Sequence, residues 1–261
     1  MKKILLLISC VFLLMVSQAS ALVTDWTYQL DYSFSAYSLN GVAQPVAPGT
    51  TSLSWGIGYP IGNPQSSLSV AGLSGNDLIT GGASVLAAQI THNNFVITGG
   101  NYLTDATLTA KLTLTPFAPP GSSLPVFQTQ FDFYFFETPN IYDNGDPRNN
   151  DIFLIKDITN TNETFVYNGY EYTFAFNPEG GSFAGLGNPW DIILANNGYP
   201  QTLLGGNPVG YVGFTTKENQ STTVGFDLTI NGRQVPEPAT LILFGIGLLG
   251  LAGASRKKNN K

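Results

Sequence analysis

Cysteine, histidine and charge are what this sequence has least of. Its 261 residues include one Cys and one His, at positions 10 and 92. A zinc cage needs about four such ligands, so none can form within one chain, and a disulfide framework is excluded on the same count. Charged residues make up 11% of the chain, well under the roughly one quarter of an ordinary globular protein. Lys and Arg number 11 against 17 Asp and Glu, a net charge of -6 that leaves no basic surface for nucleic acid. The Ala, Glu, Lys and Leu of coiled coils give way to Thr, Asn, Gly and Phe. What remains is 43% hydrophobic and 12% aromatic, punctuated by 29 Gly and 16 Pro.

The two ends read as addresses. Lys2 and Lys3 precede an apolar run from Ile4 to Val16, and Ala19-Ser20-Ala21 is a small-residue cleavage site. Residues 1-21 are therefore expected to be a signal peptide read by the Sec translocon, with a mature chain starting at Leu22. Leu7-Ile8-Ser9-Cys10 has a lipobox look, but the apolar run before Cys10 is short and continues past it. At the other end stand Val235-Pro236-Glu237-Pro238, an apolar stretch from Ala239 to Ala254, and a basic close of Arg256, Lys257, Lys258 and Lys261. Sixteen residues at ~1.5 Å rise span ~24 Å as a helix, short of a ~30 Å hydrocarbon core. The basic tail holds such a helix with its C-terminus on the cytoplasmic side. Residues 235-261 closely resemble the PEP-CTERM sorting signal of Gram-negative bacteria. That resemblance implies a transmembrane sorting helix, transient residence in the inner membrane, and cutting near the motif by the membrane transpeptidase exosortase. A permanent single-pass anchor is the alternative.

Residues 22-234 form the body. Five basic residues against sixteen acidic ones leave it at -11, a charge that repels nucleic acid and anionic membranes. Apolar residues recur with period 2: Trp26, Tyr28, Leu30, Tyr32 and Phe34; Leu108, Ala110, Leu112 and Leu114; Phe127, Phe131, Phe133 and Phe135. Asn168-Gly169 between Phe165-Tyr167 and Tyr170-Phe176 predicts a tight hairpin, and a last strand is expected over about 222-230. Residues 41-82, rich in Gly, Pro and Ser, read as a long loop with one strand near Leu53-Ile57. No stretch of the body has a sustained helical period. The expected fold is all-β, about ten antiparallel strands in a β-sandwich or jelly-roll-like single domain.

Ile90-Thr91-His92-Asn93-Asn94-Phe95 contains Thr-His-x-Asn, formed by Thr91, His92 and Asn94. With Phe136-Glu137-Thr138-Pro139-Asn140, Asp151-Ile152-Phe153 and Gly213-Phe214-Thr215-Thr216-Lys217-Glu218, it resembles the THxN group of PEP-CTERM proteins. That resemblance carries no biochemical activity to this chain. Relatives of the group often have cysteines where this chain has the segment Asp143 to Asp151.

Catalysis through imidazole rests on His92 alone. On a strand it shares a face with Ile90, Asn94 and Val96, where it could serve as a proton donor or ligand in a polar patch with Thr91 and Asn94. A histidine without a paired nucleophile is no triad, so a structural His at a sheet edge is favoured. The loop 143-151 concentrates hard oxygen ligands, and Asp143, Asn144, Asp146 and Asp151 are its candidate Ca²⁺ ligands. The competing reading is an ordinary solvated turn, since these are also the turn-forming residues. Glu137 at the end of a Phe-lined strand has the setting of a carboxyl with raised pKa, the mark of a general acid. Trp26, Trp55, Trp190, Tyr134 and Tyr170 are candidates for stacking on sugar rings, with core burial the alternative. The expectation is thus a secreted, non-catalytic protein of the cell surface, exopolysaccharide matrix or biofilm, with no catalytic residues assigned. A lectin-like, Ca²⁺-dependent carbohydrate-binding module stands second, and a polysaccharide hydrolase or lyase third.

Overall fold

The computed structural model describes residues 21-143, 145-158, 162-179, 183-235 and 246-247. Ala19, Asn144, Pro236, Glu237, Pro238, Arg256, Lys257 and Lys258 lie outside them, as does nearly all of the expected sorting helix. Among the described residues no helix is long and apolar enough to cross a membrane.

The chain forms strands β1 (Asp25–Leu39), β2 (Val42–Gln44), β3 (Ser52–Trp55), β4 (Ser66–Gly72), β5 (Ser74–Ile79), β6 (Val85–Asn94), β7 (Leu103–Ala118) and β8 (Phe127–Phe136). There follow β9 (Asp151–Ile155), β10 (Asn162–Tyr167), β11 (Tyr170–Pro178), β12 (Ala184–Gly185), β13 (Leu203–Leu204), β14 (Asn207–Pro208), β15 (Val212–Thr216) and β16 (Gln220–Gln234). A short helix, α1 (Trp190–Asn196), lies between β12 and β13.

One sheet runs β12-β15-β9-β8-β7-β1-β2, with β5 also paired to β1. The other runs β10-β11-β16-β6-β4-β3, and β13-β14 form a small separate ribbon. The paired strands are antiparallel throughout. Alternation along β1 buries Trp26, Tyr28, Leu30, Tyr32 and Phe34, as its period-2 pattern predicts. Aromatic rings close the space between the sheets. Trp26 of β1 meets Tyr172 of β11 edge to face at 5.0 Å, Phe127 of β8 meets Phe174 at 5.0 Å, and Phe131 meets Phe226 of β16 at 5.6 Å. Such contacts across two antiparallel sheets make the body a β-sandwich.

Strand β9 is buried at all five positions because both its faces are covered. Phe153 and Ile155 point into the main core, while Ile152 and Leu154 pack under Leu194 of α1 and Tyr211. The expected hairpin forms, with Tyr167 opposite Tyr170 and positive φ at Asn168 (48°) and Gly169 (72°). Residues 41-82 hold more structure than one strand. β4 has its own alternation, hidden by serine: Ser66, Leu68 and Val70 face inward and Ser67 and Ser69 do not. β2 and β5 are short and largely exposed, so hydrophobic periodicity could not signal them.

β16 extends beyond its expected bounds. Fifteen residues at ~3.3 Å each carry it on the order of 45 Å. Near its C-terminal end, Gly232 pairs with Tyr172, whose hydroxyl accepts from Val23 N–H at 2.8 Å. Leu22, the first residue after the expected N-terminal cut, packs against the core beside Gly232. Val235 N–H is bonded to Gly169 O at 2.9 Å. Both signal junctions therefore leave from one pole of the sandwich, and Gln220 marks the other.

Candidate functional site

At the Gln220 pole the inner faces turn from apolar to polar. On β6 the inward positions run Ala88, Ile90, His92, Asn94, so alternation that begins in the core ends in an imidazole and an amide. Thr91 faces the other way and bonds Thr223 at 2.9 Å, so it shares no patch with His92. From the opposite sheet come Glu137, the next inward position after Phe133 and Phe135, then Asp151, two before Phe153, and Thr216, two after Phe214. Asp151 and Thr216 are register partners of β9 and β15.

His92 is 1% exposed and lies on a central strand, between β16 and β4, not at a sheet edge. Its ring stacks on Trp55 at 5.6 Å and 11°, and meets the Phe135 ring edge-on at 5.1 Å. Burial pushes its pKa down to about 3, so it is neutral at neutral pH, and its Nε2 has no partner. The ring is therefore held by packing between Trp55 and Phe135.

Trp55 joins His92 to the acids. Its Nε1–H donates to Glu137 Oε2 at 3.1 Å. Burial pushes the Glu137 carboxyl up to about 7, reinforced by Glu218 and opposed by the Trp55 and Asp151 hydrogen bonds. Asp151 is 1% exposed, and burial, with Glu137 and Glu218 beside it, holds its carboxyl well above the usual range. Its Oδ1 accepts from Thr138 N–H at 3.0 Å. Its Oδ2 has no hydrogen-bond partner. With Glu137 beside it, ionising both carboxyls costs repulsion as well as desolvation, so the pair holds protons to higher pH than isolated carboxyls would. Glu218 is raised by burial, and Asn140 Nδ2–H donates to its Oε2. Asn94 Nδ2–H donates to Thr216 O at 3.1 Å. Asn94 Oδ1, Thr216 Oγ1 and Glu218 Oε1 are buried without partners.

Of the candidate Ca²⁺ ligands, Asp146 and Asp151 are not drawn together. Asp146 caps the turn Pro147–Asn149 and is ion-paired with Arg148 at 2.6 Å, and the guanidinium covers the Tyr142 ring at 3.8 Å. Asn149 closes the same loop onto the Tyr142 and Asp143 carbonyls, each at 3.1 Å. Asp151 faces inward, away from that loop surface. Among the described residues, no three His, Cys, Asp or Glu side chains form a metal-holding group. Of the sugar-stacking candidates, Trp26 and Trp55 are core. Trp190 is half-buried on the outer cluster and donates to Pro147 O at 3.0 Å, and Tyr134 carries Lys156 over its ring at 4.2 Å.

Sequence reasoning grouped His92 with Asn94, and also with Thr91, which faces the other way, and named no partner for Glu137. The segments that carry the family resemblance, 136-140, 151-153 and 213-218, bring Glu137, Asp151, Thr216 and Glu218 to the cluster, and Trp55 of β3 joins them to His92. The usable signal was positional, a polar residue at each place where an inward apolar series stops.

Residues 234-257 match the family model described as the PEP-CTERM protein-sorting motif. The match begins at the last residue of β16, so the sorting motif starts where the sandwich stops. It implies a protein targeted to exosortase and thereby to secretion or the cell surface. No curated protein matches the chain.

Proposed function

We propose that the chain is a THxN-type PEP-CTERM protein, a non-catalytic component of the cell surface or exopolysaccharide matrix. Export runs through the Sec translocon, and exosortase acts on the C-terminal motif while the chain is held in the inner membrane. The observation that carries this reading is the junction at Gln234–Val235. The last strand ends at Gln234, Val235 N–H is still bonded to Gly169 O, and the sorting motif begins at residue 234. A cut in that motif frees a complete sandwich.

Two features support a non-catalytic role. The only imidazole is neutral and walled by Trp55 and Phe135. The Glu137 and Asp151 carboxyls face into the sandwich, and burial raises both above the usual carboxylate range. The test is fractionation of the native host. The wild-type protein is expected in the surface and matrix fraction, and a Pro236→Ala/Glu237→Ala variant is expected to stay with the inner membrane. Equal recovery of both from the surface would sink the proposal. The lectin-like reading retains one observation in its favour, a polar recess at the Gln220 pole.

A further inference from the structure

We infer that the pole from which both ends of the chain leave rests on the lipid bilayer while the precursor is held in the membrane, through exposed apolar side chains of both sheets. The inference rests on the sorting reading above and names the surface that the body meets during it. Three large apolar side chains stand exposed around this pole: Ile79 (48%), Phe117 (56%) and Val166 (65%). Ile79 is the register partner of Asp25, and Phe117 adjoins Ala118, whose carbonyl accepts from Thr24 N–H at 2.8 Å, so both flank the N-terminal junction. Val166 belongs to the β10–β11 hairpin, whose Gly169 carbonyl holds Val235 N–H at the C-terminal junction. The two groups adjoin each other. A Cβ at Gly121 would lie 2.5 Å from the Tyr167 hydroxyl, so the loop that follows Phe117 packs on the hairpin.

Exposed apolar residues taken singly are ordinary. The tether decides what covers these. Val235 is fixed to the hairpin, and the expected apolar membrane stretch begins at Ala239. Four steps of fully extended chain reach about 14 Å at most, so the pole stands no farther than that from the start of the stretch. At that range a weak contact is effectively intramolecular, and the tether sets its occupancy. Charge permits the approach. Between Lys111 and Asp132 the chain has no charged residue, a stretch that includes Phe117 and the whole β7–β8 loop. The acids nearest the pole in the register are Asp25, which accepts from the Thr24 hydroxyl at 2.6 Å, and Glu171, ion-paired with Arg233 at 2.6 Å. The opposite pole also exposes apolar residues, Ile57, Ile61 and Ile141 among them, but it carries an acidic recess of about 430 Å³ with Asp146 and Glu218 in its walls. It lies the length of β16 from the tether, on the order of 45 Å, where its acids are screened from anionic headgroups by a Debye length of ~8 Å. Apolar side chains at the junction pole seat in the boundary between headgroups and acyl chains. Tyr167 and Tyr170, half-buried in the same hairpin, are of the type enriched at that boundary. Seated so, the pole fixes the depth of the sorting motif for cutting, and the contact loses its tether once the cut is made.

The test uses the precursor from Leu22 to Lys261, inserted into vesicles of phosphatidylethanolamine and phosphatidylglycerol. Flotation with the vesicles reports insertion of the tail. An environment-sensitive fluorophore on Ser122→Cys, in the loop that follows Phe117, reports contact of the pole with lipid, and the same label on Ile61→Cys serves as control. The Ser122→Cys emission is expected to shift to the blue on insertion and to keep that shift in high salt, while the Ile61→Cys label keeps its aqueous spectrum. Phe117→Ser combined with Val166→Ser is expected to cancel most of the shift while the chain still floats and its thermal midpoint is little changed, since both side chains are exposed. A floating chain with an aqueous Ser122→Cys spectrum, equal shifts at the two labels, or a shift that the double substitution leaves intact would overturn this inference and leave the sorting reading standing. So would a shift seen only in host membranes that carry exosortase, which would assign the pole to a protein. A chain that does not float overturns the inference together with the membrane-held precursor on which it rests.

Discussion

His92 and Glu137 lie against the same Trp55 indole and are shifted in the direction that keeps each uncharged. Burial strips the proton from the imidazole and keeps one on the carboxyl. The linkage follows from the Glu137 shift. Its carboxyl is raised from an ordinary 4.5 to about 7, so the native state holds more protons than the unfolded chain between those values. Its contribution to stability is complete below pH 4.5 and is lost as pH rises through 7. Asp151 acts in the same direction. The thermal midpoint of the wild-type protein is therefore expected to fall across that window. Glu137→Gln keeps the Trp55 bond and removes this titration, so its midpoint is expected to vary less with pH. Parallel profiles for the two proteins would refute the assignment.

At the scale of elements, the β10–β11 hairpin is the most completely specified local structure. Asn168 and Gly169 both adopt positive φ, the requirement of a type I′ turn. Gly169 also supplies the carbonyl that anchors Val235 at the sorting junction. A Cβ in the left-handed region costs roughly 1–2 kcal/mol, and each kcal/mol moves the midpoint by about 2–4 °C in a domain of this size. Gly169→Ala is thus expected to lower the midpoint by roughly 2–8 °C, measured by circular dichroism; an unchanged midpoint would show that the turn tolerates a side chain. β4 carries a different lesson. Its Ser-Leu-Ser-Val alternation is a strand pattern, but serine at the outward positions gave it the composition of a loop. Pairing with β6 on one side and β3 on the other is what fixes it.

At the scale of the molecule, both signal junctions sit at one pole and the acidic recess at the other, separated by the length of β16. A membrane-held precursor is expected to present Ile61, 90% exposed in the loop whose Tyr59 N–H bonds the Val96 carbonyl just past β6, farther from the bilayer than Ser122, in the exposed loop between β7 and β8. The expected mature body contains no cysteine, so Ile61→Cys and Ser122→Cys each accept one fluorescent label. A quencher confined to the bilayer is expected to dim the Ser122→Cys label more strongly. Equal quenching would mean that the sandwich lies flat on the membrane.

The sequence by itself determined the all-β class, the inward face of each long strand, the Asn168–Gly169 hairpin and the sorting motif. Each of these depends on neighbours within a few residues: a period of two, a pair of turn formers, a contiguous motif. The acidic cluster has no such local mark. Asn94, Asp151 and Thr216 lie on three different strands and Glu137 just past the end of a fourth, with 122 residues between Asn94 and Thr216. Glu137 reads locally as a strand-end acid and Asp151 as part of a polar loop. Only closure of the two sheets buries them together, and burial with mutual repulsion makes them hold a proton. The tertiary structure likewise decided that Asp146 pairs with Arg148 while Asp151 faces inward, because strand β9 turns its inner face to the core at that residue.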